Sequence, residues 1–305
     1  MKRYILNRMF QSVICLIGVT IIIFSLTRLS GDPVLLMVPP EATKQDIEAM
    51  RKTLGLDKPI YAQYWVFISK AVRGDFGKSL RWNRSNLGLF LERFPNTLLL
   101  ATAAMLFSIF VGIPVGIISA IKMGGWFDNF GKGFAFLGQA MPVFWLGIML
   151  ILVFAVWLKV LPTSGVGGWK NLLMPAFTLG WYVTASLTRL SRSAMLDVID
   201  SDYIKLARIM GVSEAAIVGK HALKNAFIPI LTLGAVNFVM LLNGTVVIET
   251  VFNWPGIGRL VVDAIKQRDF PVVQTCVLIA SSLYISANLF VDILYAYIDP
   301  RIRYQ

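Results

Sequence analysis

Six uncharged, mainly apolar stretches, 9–27, 97–121, 133–158, 172–188, 226–248 and 272–291, are separated by segments that carry the charge. A helix needs about 20 apolar residues to cross about 30 Å of hydrocarbon, so this pattern predicts six membrane-crossing helices. The second stretch would rise about 37 Å, long enough to tilt. The third contains Gln139 and Pro142, and the fifth contains Pro229, Asn237 and Asn243. The fourth is short, holds Pro175 and Gly180, and stops at Arg189. The first follows a basic N-terminus as a secretory signal would, but no small-x-small cleavage site follows it, so it reads as an uncleaved anchor. Thirteen Lys and Arg fall in the segments that an inward N-terminus would place in the cytosol. Five (Lys159, Lys170, Arg259, Lys266 and Arg268) fall in the short outer loops. The asymmetry predicts that both termini are cytosolic.

Two of the polar segments have structure of their own. In the outer segment 29–96, residues 43–54 read as a helix, with Thr43 and Asp46 in capping-box spacing and Gly55 as its stop. Residues 59–73 read as a second, with Tyr61, Tyr64, Trp65 and Ile68 on one side and Gly74 at its end. Such a pair is either a lid on the bundle or a surface for an external partner. On the cytosolic side, loop 189–225 is too long for a plain connector. Tyr203, Leu206, Ala207 and Met210 share one helical face and Lys205 and Arg208 another. Gly211 supplies a left-handed stop, Ser213 an N-cap, and Glu214 suits the positive end of the next helix, on which Lys220 and Lys224 lie one turn apart. This elbow is suited to press into a partner's groove. Its charge pattern fits a hairpin lying on anionic lipid equally well.

Composition agrees with a polytopic membrane protein: 56% of the 305 residues are hydrophobic and only 15% charged, too few to coat a soluble globule of this size. The net charge of +12 is concentrated between the apolar runs, which argues against nucleic acid. Catalytic chemistry is missing from the pattern. His221 is the single histidine, Cys15 and Cys276 lie in apolar runs, and no metal-ligand spacing occurs. Gly77-Lys78-Ser79 lacks the glycine that a phosphate-binding loop needs five residues earlier, where Val72 stands. The six stretches hold no ionisable residue, which weighs against a proton-driven pump. Gln139, Asn237, Asn243 and Thr245 are either interhelical hydrogen-bonding groups or the lining of a polar path. Two function classes stand: a subunit of a larger transporter, or a stand-alone ion-coupled secondary transporter or channel.

A resemblance narrows these. Asp202-Tyr203-Ile204-Lys205-Leu206-Ala207-Arg208-Ile209-Met210-Gly211, followed by His221-Ala222-Leu223-Lys224-Asn225-Ala226 and Pro229, resembles the cytosolic coupling segment of ABC-importer permeases, nearest to the peptide (dipeptide, oligopeptide, glutathione) and nickel group. Gly31-Asp32-Pro33, Leu54-Gly55-Leu56-Asp57-Lys58-Pro59 and Gly74-Asp75-Phe76-Gly77 resemble that group's external segment. Glu249-Thr250-Val251-Phe252, Trp254-Pro255-Gly256-Ile257-Gly258 and Arg268-Asp269-Phe270-Pro271 resemble its last outer loop, and Asp299-Pro300-Arg301-Ile302 its ending. The long segment before the second stretch resembles the B-type subunit. Where many such loops read Glu-Ala-Ala, this one reads Lys205-Leu206-Ala207, so the ion pair made by that Glu does not carry over.

The resemblance implies an all-α membrane protein with six transmembrane helices in the type I ABC-importer permease fold. It divides the chain into an anchor (1–28), an external periplasmic segment (29–96), a core (97–298) with the coupling loop 189–225, and a cytosolic tail (299–305). It implies a non-catalytic permease in the bacterial inner membrane that moves short peptides. The partners it implies are a C-type sister permease, one or two cytosolic ATPase subunits that bind the ATP and Mg, an external solute-binding protein and membrane lipid. The elbow (Asp202, Tyr203, Lys205, Ala207, Arg208, Gly211) would meet an ATPase. The outer loop (Glu249, Trp254, Pro255, Gly256, Gly258, Arg268, Asp269) would face the binding protein. No cofactor or metal is implied for this chain.

Overall fold

The computed structural model describes residues 2–29, 34, 43–53 and 55–298, of which 2–4, 46, 53, 243, 244 and 294–298 are described in backbone alone. The motif Gly31-Asp32-Pro33, Leu54, the side chains of Asp46 and Asn243, and the tail 299–305 lie outside that description. Among the described residues the secondary structure is helical, apart from an isolated antiparallel bridge between Lys78 and Ser85. The helices are α1 (Lys2–Leu29), α2 (Lys44–Thr53), α3 (Ile60–Val72), α4 (Asn86–Ile121), α5 (Trp126–Ala140), α6 (Val143–Leu150), α7 (Trp169–Ile199), α8 (Asp202–Ile209), α9 (Glu214–Ala216), α10 (Leu223–Val251), α11 (Ile257–Lys266) and α12 (Phe270–Ile298). The described residues form two compact units, one drawn from 2–95 and 256–289, the other from 96–255 and 290–298.

In the first unit, α3 docks on α1 through aromatic rings. The Tyr64 and Thr20 hydroxyls lie 2.8 Å apart, and Phe24 meets Tyr64 edge-on at 5.4 Å and Phe67 at 5.8 Å. Tyr61 and Trp65, on the same aromatic side of α3 as Tyr64, are exposed. The stops expected at Gly55 and Gly74 are present, at φ +66° and +77°. A second cluster joins Leu89 and Phe90 of α4 to Leu260, Ala264, Val272 and Cys276.

In the second unit α7 is the hub, packed by α10, α5 and α6. It is long but too polar to qualify as a spanning helix on length and apolarity. Among the described residues four helical segments do qualify: Ile5–Leu29, Asn86–Ile121, Glu214–Leu242 and Phe270–Ile293. A fifth arises if the bent pair Trp126–Ala140 and Val143–Trp157 is one span. The expected count of six is not confirmed by length and apolarity among the described residues. The physical reason lies in what α7 touches. Its buried face carries Thr178, Thr184, Thr188 and Ser191 and is covered by protein, so it can be polar where a lipid-facing helix cannot. The Thr184 and Ser108 hydroxyls both reach the Gly180 carbonyl, at 2.8 and 2.9 Å. Glycines bring the backbones together, as small residues do between membrane helices. A Cβ placed on Gly116 would lie 2.4 Å from the Thr188 carbonyl oxygen, and one on Gly138 would lie 2.4 Å from the Ala185 Cβ.

Stretch 133–158 is not one straight helix either. α5 ends at Ala140, Met141 turns extended (φ −85°, ψ 127°), and the chain resumes at Val143 bent by 104°. Pro142 explains the break, since its ring pushes the preceding residue out of the helical region and it has no N–H to offer. α6 then widens into π-helical turns over Ile151–Trp157.

Candidate functional site

The elbow at the end of α7 grows from three local signals. Ser201 starts α8, Gly211 ends it at φ +80°, and Ser213 caps the next helix by accepting from the Ala216 N–H at 3.4 Å. At the stop, the Val212 N–H reaches the Ala207 carbonyl (3.1 Å) and the Gly211 N–H the Arg208 carbonyl (3.0 Å). This doubly bonded ending needs a left-handed residue. Two side-chain links then brace the corner. Arg208 grips Glu214 with Nε at 2.7 Å and Nη2 at 3.3 Å, and Asn225 donates to the Tyr203 hydroxyl at 2.7 Å. The Glu214 carboxylate raises the Arg208 guanidinium above its ordinary pKa. Lys205 pairs with Asp202 at 2.9 Å.

The face expected to be apolar divides differently. Ile204, Ala207 and Ile217 form the buried core of the elbow. Ala207 thus packs inward, holding the corner together. Tyr203, Leu206 (55% exposed) and Met210 (67%) point outward with Ile209 (82%). The reason is the shortness of α8: one turn of Ile204 and Ala207 suffices to meet Ile217, and the remaining apolar side chains have nothing among the described residues to cover them. Lys220 and Lys224 are not a plain helical turn apart, because residues 217–222 are π-helical.

The expected path residues are scattered. Gln139 accepts from Arg189 Nη1 at 2.7 Å. Asn237 and Thr245 are both buried on α10, and the Asn237 amide nitrogen has no hydrogen-bond partner among the described residues. Among the described residues no hydrogen bond joins Gln139 to either of them.

Most of the outer-loop motif is internal scaffold. In the second unit Glu249 is fully buried and accepts from the Thr97 hydroxyl at 2.7 Å. Trp254 is buried, its indole donating to the Asn96 carbonyl (2.9 Å), while the Asn96 amide donates to the Pro255 carbonyl (3.0 Å). In the first unit Gly256 and Gly258 are buried at the start of α11. Asp269 is buried too, accepting from the Ser79 hydroxyl and from the Arg81 N–H at 3.1 Å. Of the seven residues expected to face the binding protein Arg268 is the exposed one, and it takes φ +56°, the position where glycine is usual.

One residue escaped the sequence reading. Asp128, in the first turn of α5, is fully buried and accepts five donors. They are Arg192 Nε (2.7 Å) and Nη2 (3.1 Å), Lys132 (2.8 Å), the Ser119 hydroxyl (2.6 Å) and the Gly124 N–H (2.9 Å). It ties α4, α5 and α7 together. The signal was present: an acid in a first helical turn after Gly124-Gly125, with a lysine four residues on.

Comparison with known proteins follows the same outline. The family described as "Binding-protein-dependent transport system inner membrane component" matches residues 112–304, and its N-terminal counterpart matches residues 1–101. The chain is 42% identical over 306 aligned positions to the glutathione transport system permease protein GsiC of Escherichia coli strain K12, with both chains covered in full. The same figures hold for the protein of that name in Shigella dysenteriae serotype 1. Among solved structures, a chain of the MetNI methionine ABC transporter in an inward-facing conformation superposes with a TM-score of 0.57 at 16% identity, over 70% of this chain and 97% of that one. A chain of an amino acid ABC transporter with histidines does so with a TM-score of 0.51 at 15% identity, over 70% and 94%. At that identity the likeness shows a shared fold.

Proposed function

The chain belongs to the family of inner membrane components of binding-protein-dependent transport systems, and from that premise we propose that it is the permease of an importer for short peptides or glutathione. It is a multi-pass membrane protein and, in this reading, lies in the inner membrane with both termini in the cytosol. ATP and Mg bind to one or two separate ATPase subunits. A C-type sister permease completes the path, and an external binding protein delivers the solute. The full-length relationship to glutathione permeases carries the choice of solute.

The observation that carries the mechanism is the braced elbow, with Leu206, Ile209 and Met210 exposed beside a rigid corner. A corner held by the Gly211 turn and the Arg208–Glu214 pair transmits a push without yielding. It sits at the end of α7, the helix around which the second unit packs, so movement of an ATPase bound there would be carried into the bundle. Asn237, Asn243 and Thr245, all on α10, are proposed to touch the solute in passing. The exposure of Arg268 supports its meeting the binding protein from the outer loop.

The test is a gentle-detergent pull-down of the tagged chain followed by uptake in vesicles. Recovery of a second permease and ATPase subunits, with labelled glutathione or dipeptide accumulating only when ATP and binding protein are supplied, is the expected result. A chain that moves solute alone, driven by an ion gradient, would reinstate the secondary-transporter reading.

A further inference from the structure

Between α5 and α7 lies a cavity of about 400 Å³ lined by Lys132, Phe136, Gln139, Thr188, Arg189 and Arg192, among others. Its charge is unbalanced. Asp128 engages Arg192 and Lys132, whereas Arg189 is held by the neutral Gln139 amide and has no carboxylate within ion-pair distance among the described residues. One acid set against three cations leaves the cavity with a positive surplus. Thr188 is 1% exposed, and its hydroxyl has no hydrogen-bond partner among the described residues. A guanidinium and a buried hydroxyl without an acceptor, on two residues that line the same cavity, call for an oxyanion.

The sequence sets the depth of the cavity. Lys132 is the last charged residue before the uncharged stretch 133–158, and Arg189 the first after the uncharged stretch 172–188. The cations of both helices therefore sit at the edge of the apolar layer, where lipid phosphates lie. One turn further in along α5, Phe136 (73% exposed) and Leu137 offer uncovered apolar surface at the level where acyl chains begin.

We propose that this cavity seats an anionic phospholipid, its phosphate held by Arg189, Lys132 and the Thr188 hydroxyl, with its chains against Phe136 and Leu137. Zwitterionic lipids carry the same phosphate, but their ammonium group meets the surplus positive charge unfavourably. The Asp128 network plays a positioning part, fixing Arg192 and Lys132 on the rim. Cations near a lipid surface are each worth about 1 kcal/mol, or about fivefold in affinity.

The experiment is native mass spectrometry of the full-length chain in detergent, titrated with phosphatidylglycerol or phosphatidylcholine. Wild type is expected to retain phosphatidylglycerol preferentially. Arg189→Gln is expected to retain it about fivefold less well, Arg189→Lys to recover most of the loss, and Thr188→Val to weaken retention with the charge unchanged. Circular dichroism and thermal unfolding establish that each variant is folded; should Arg189→Gln fail to fold, the Arg189→Lys and Thr188→Val comparison decides. Equal retention of the two lipids by wild type would overturn the proposal, as would unchanged phosphatidylglycerol retention in Arg189→Gln and Thr188→Val. Displacement of the lipid by alanylalanine would overturn it as well, reassigning the cavity to a carboxylate solute.

Discussion

Replacing Gly116 with alanine adds one methyl group where α4 meets α7. That methyl would stand 2.4 Å from the Thr188 carbonyl oxygen, 2.7 Å from the Ser191 Cβ and 3.1 Å from the Arg192 nitrogen, whereas real Cβ atoms keep at least 3.0 Å. Two of the three obstacles are backbone and the third is a Cβ, so no rotamer change gives relief and the helices must separate. Forced overpacking of this kind costs about 1–3 kcal/mol, against up to about 1 kcal/mol gained by removing a glycine from a helix. A net loss of about 1–2 kcal/mol is expected. Gly112 is a milder case, its nearest obstacle being the Thr184 carbonyl at 2.8 Å. Gly133, in the interior of α5, has nothing within 4 Å and supplies the control. Thermal unfolding of the purified chain in one detergent should rank Gly133→Ala at or above wild type, then Gly112→Ala, then Gly116→Ala lowest. If Gly116→Ala melts with wild type, the close approach of α4 and α7 is not what holds the second unit together.

Three further substitutions test other contacts. Asp128→Asn keeps the shape but removes the charge that five donors share, and with Arg192 and Lys132 partly solvated it should destabilise by about 3 kcal/mol, the low end for breaking a buried pair; denaturant unfolding measures it, and an unchanged midpoint contradicts the role assigned. Gly211→Val puts a β-branched residue at φ +80°, a strain of about 1–2 kcal/mol, so membrane insertion should be normal while solute-stimulated ATP hydrolysis by the assembled transporter falls; wild-type coupling would remove the elbow from the mechanism. Asn237→Leu removes a buried amide nitrogen without a partner and should leave stability unchanged or higher, while altering which solutes are taken up; unchanged solute preference would return Asn237 to a packing role.

The elements readable from sequence were those whose cause is local. Gly55, Gly74 and Gly211 end helices because a left-handed backbone is needed there, and Ser213 restarts one because its hydroxyl is the right length. Long apolar runs exposed to lipid, as in α1 and α12, also identify themselves. What was hidden is whatever depends on a neighbour. The fourth stretch reads as short and broken by Pro175 and Gly180, yet its helix α7 is the one around which the second unit packs, covered by protein and joined to α4 and α5 through glycines. The outer-loop motif was visible as a motif, but only the fold shows Glu249, Trp254 and Asp269 turned inward, bonded to Thr97, Asn96 and Ser79 some 150 residues or more away. Ala207 was assigned to the surface for the same reason: its partner Ile217 lies beyond the turn, where helical periodicity does not reach.

The π-helical turns over Ile217–Ala222 set an angular phase. In a helix each residue advances about 100° around the axis, so an inserted residue turns everything after it by that amount. The direction in which Asn237 and Thr245 face is therefore decided a few turns upstream of them, next to the elbow. Gly219 lies within those turns, and nothing stands within 4 Å of where its side chain would be. Tightening those turns into regular α-helix with every residue kept would swing the polar side of α10 by about a quarter of a revolution, leaving every residue of it intact and none of them pointing where it did.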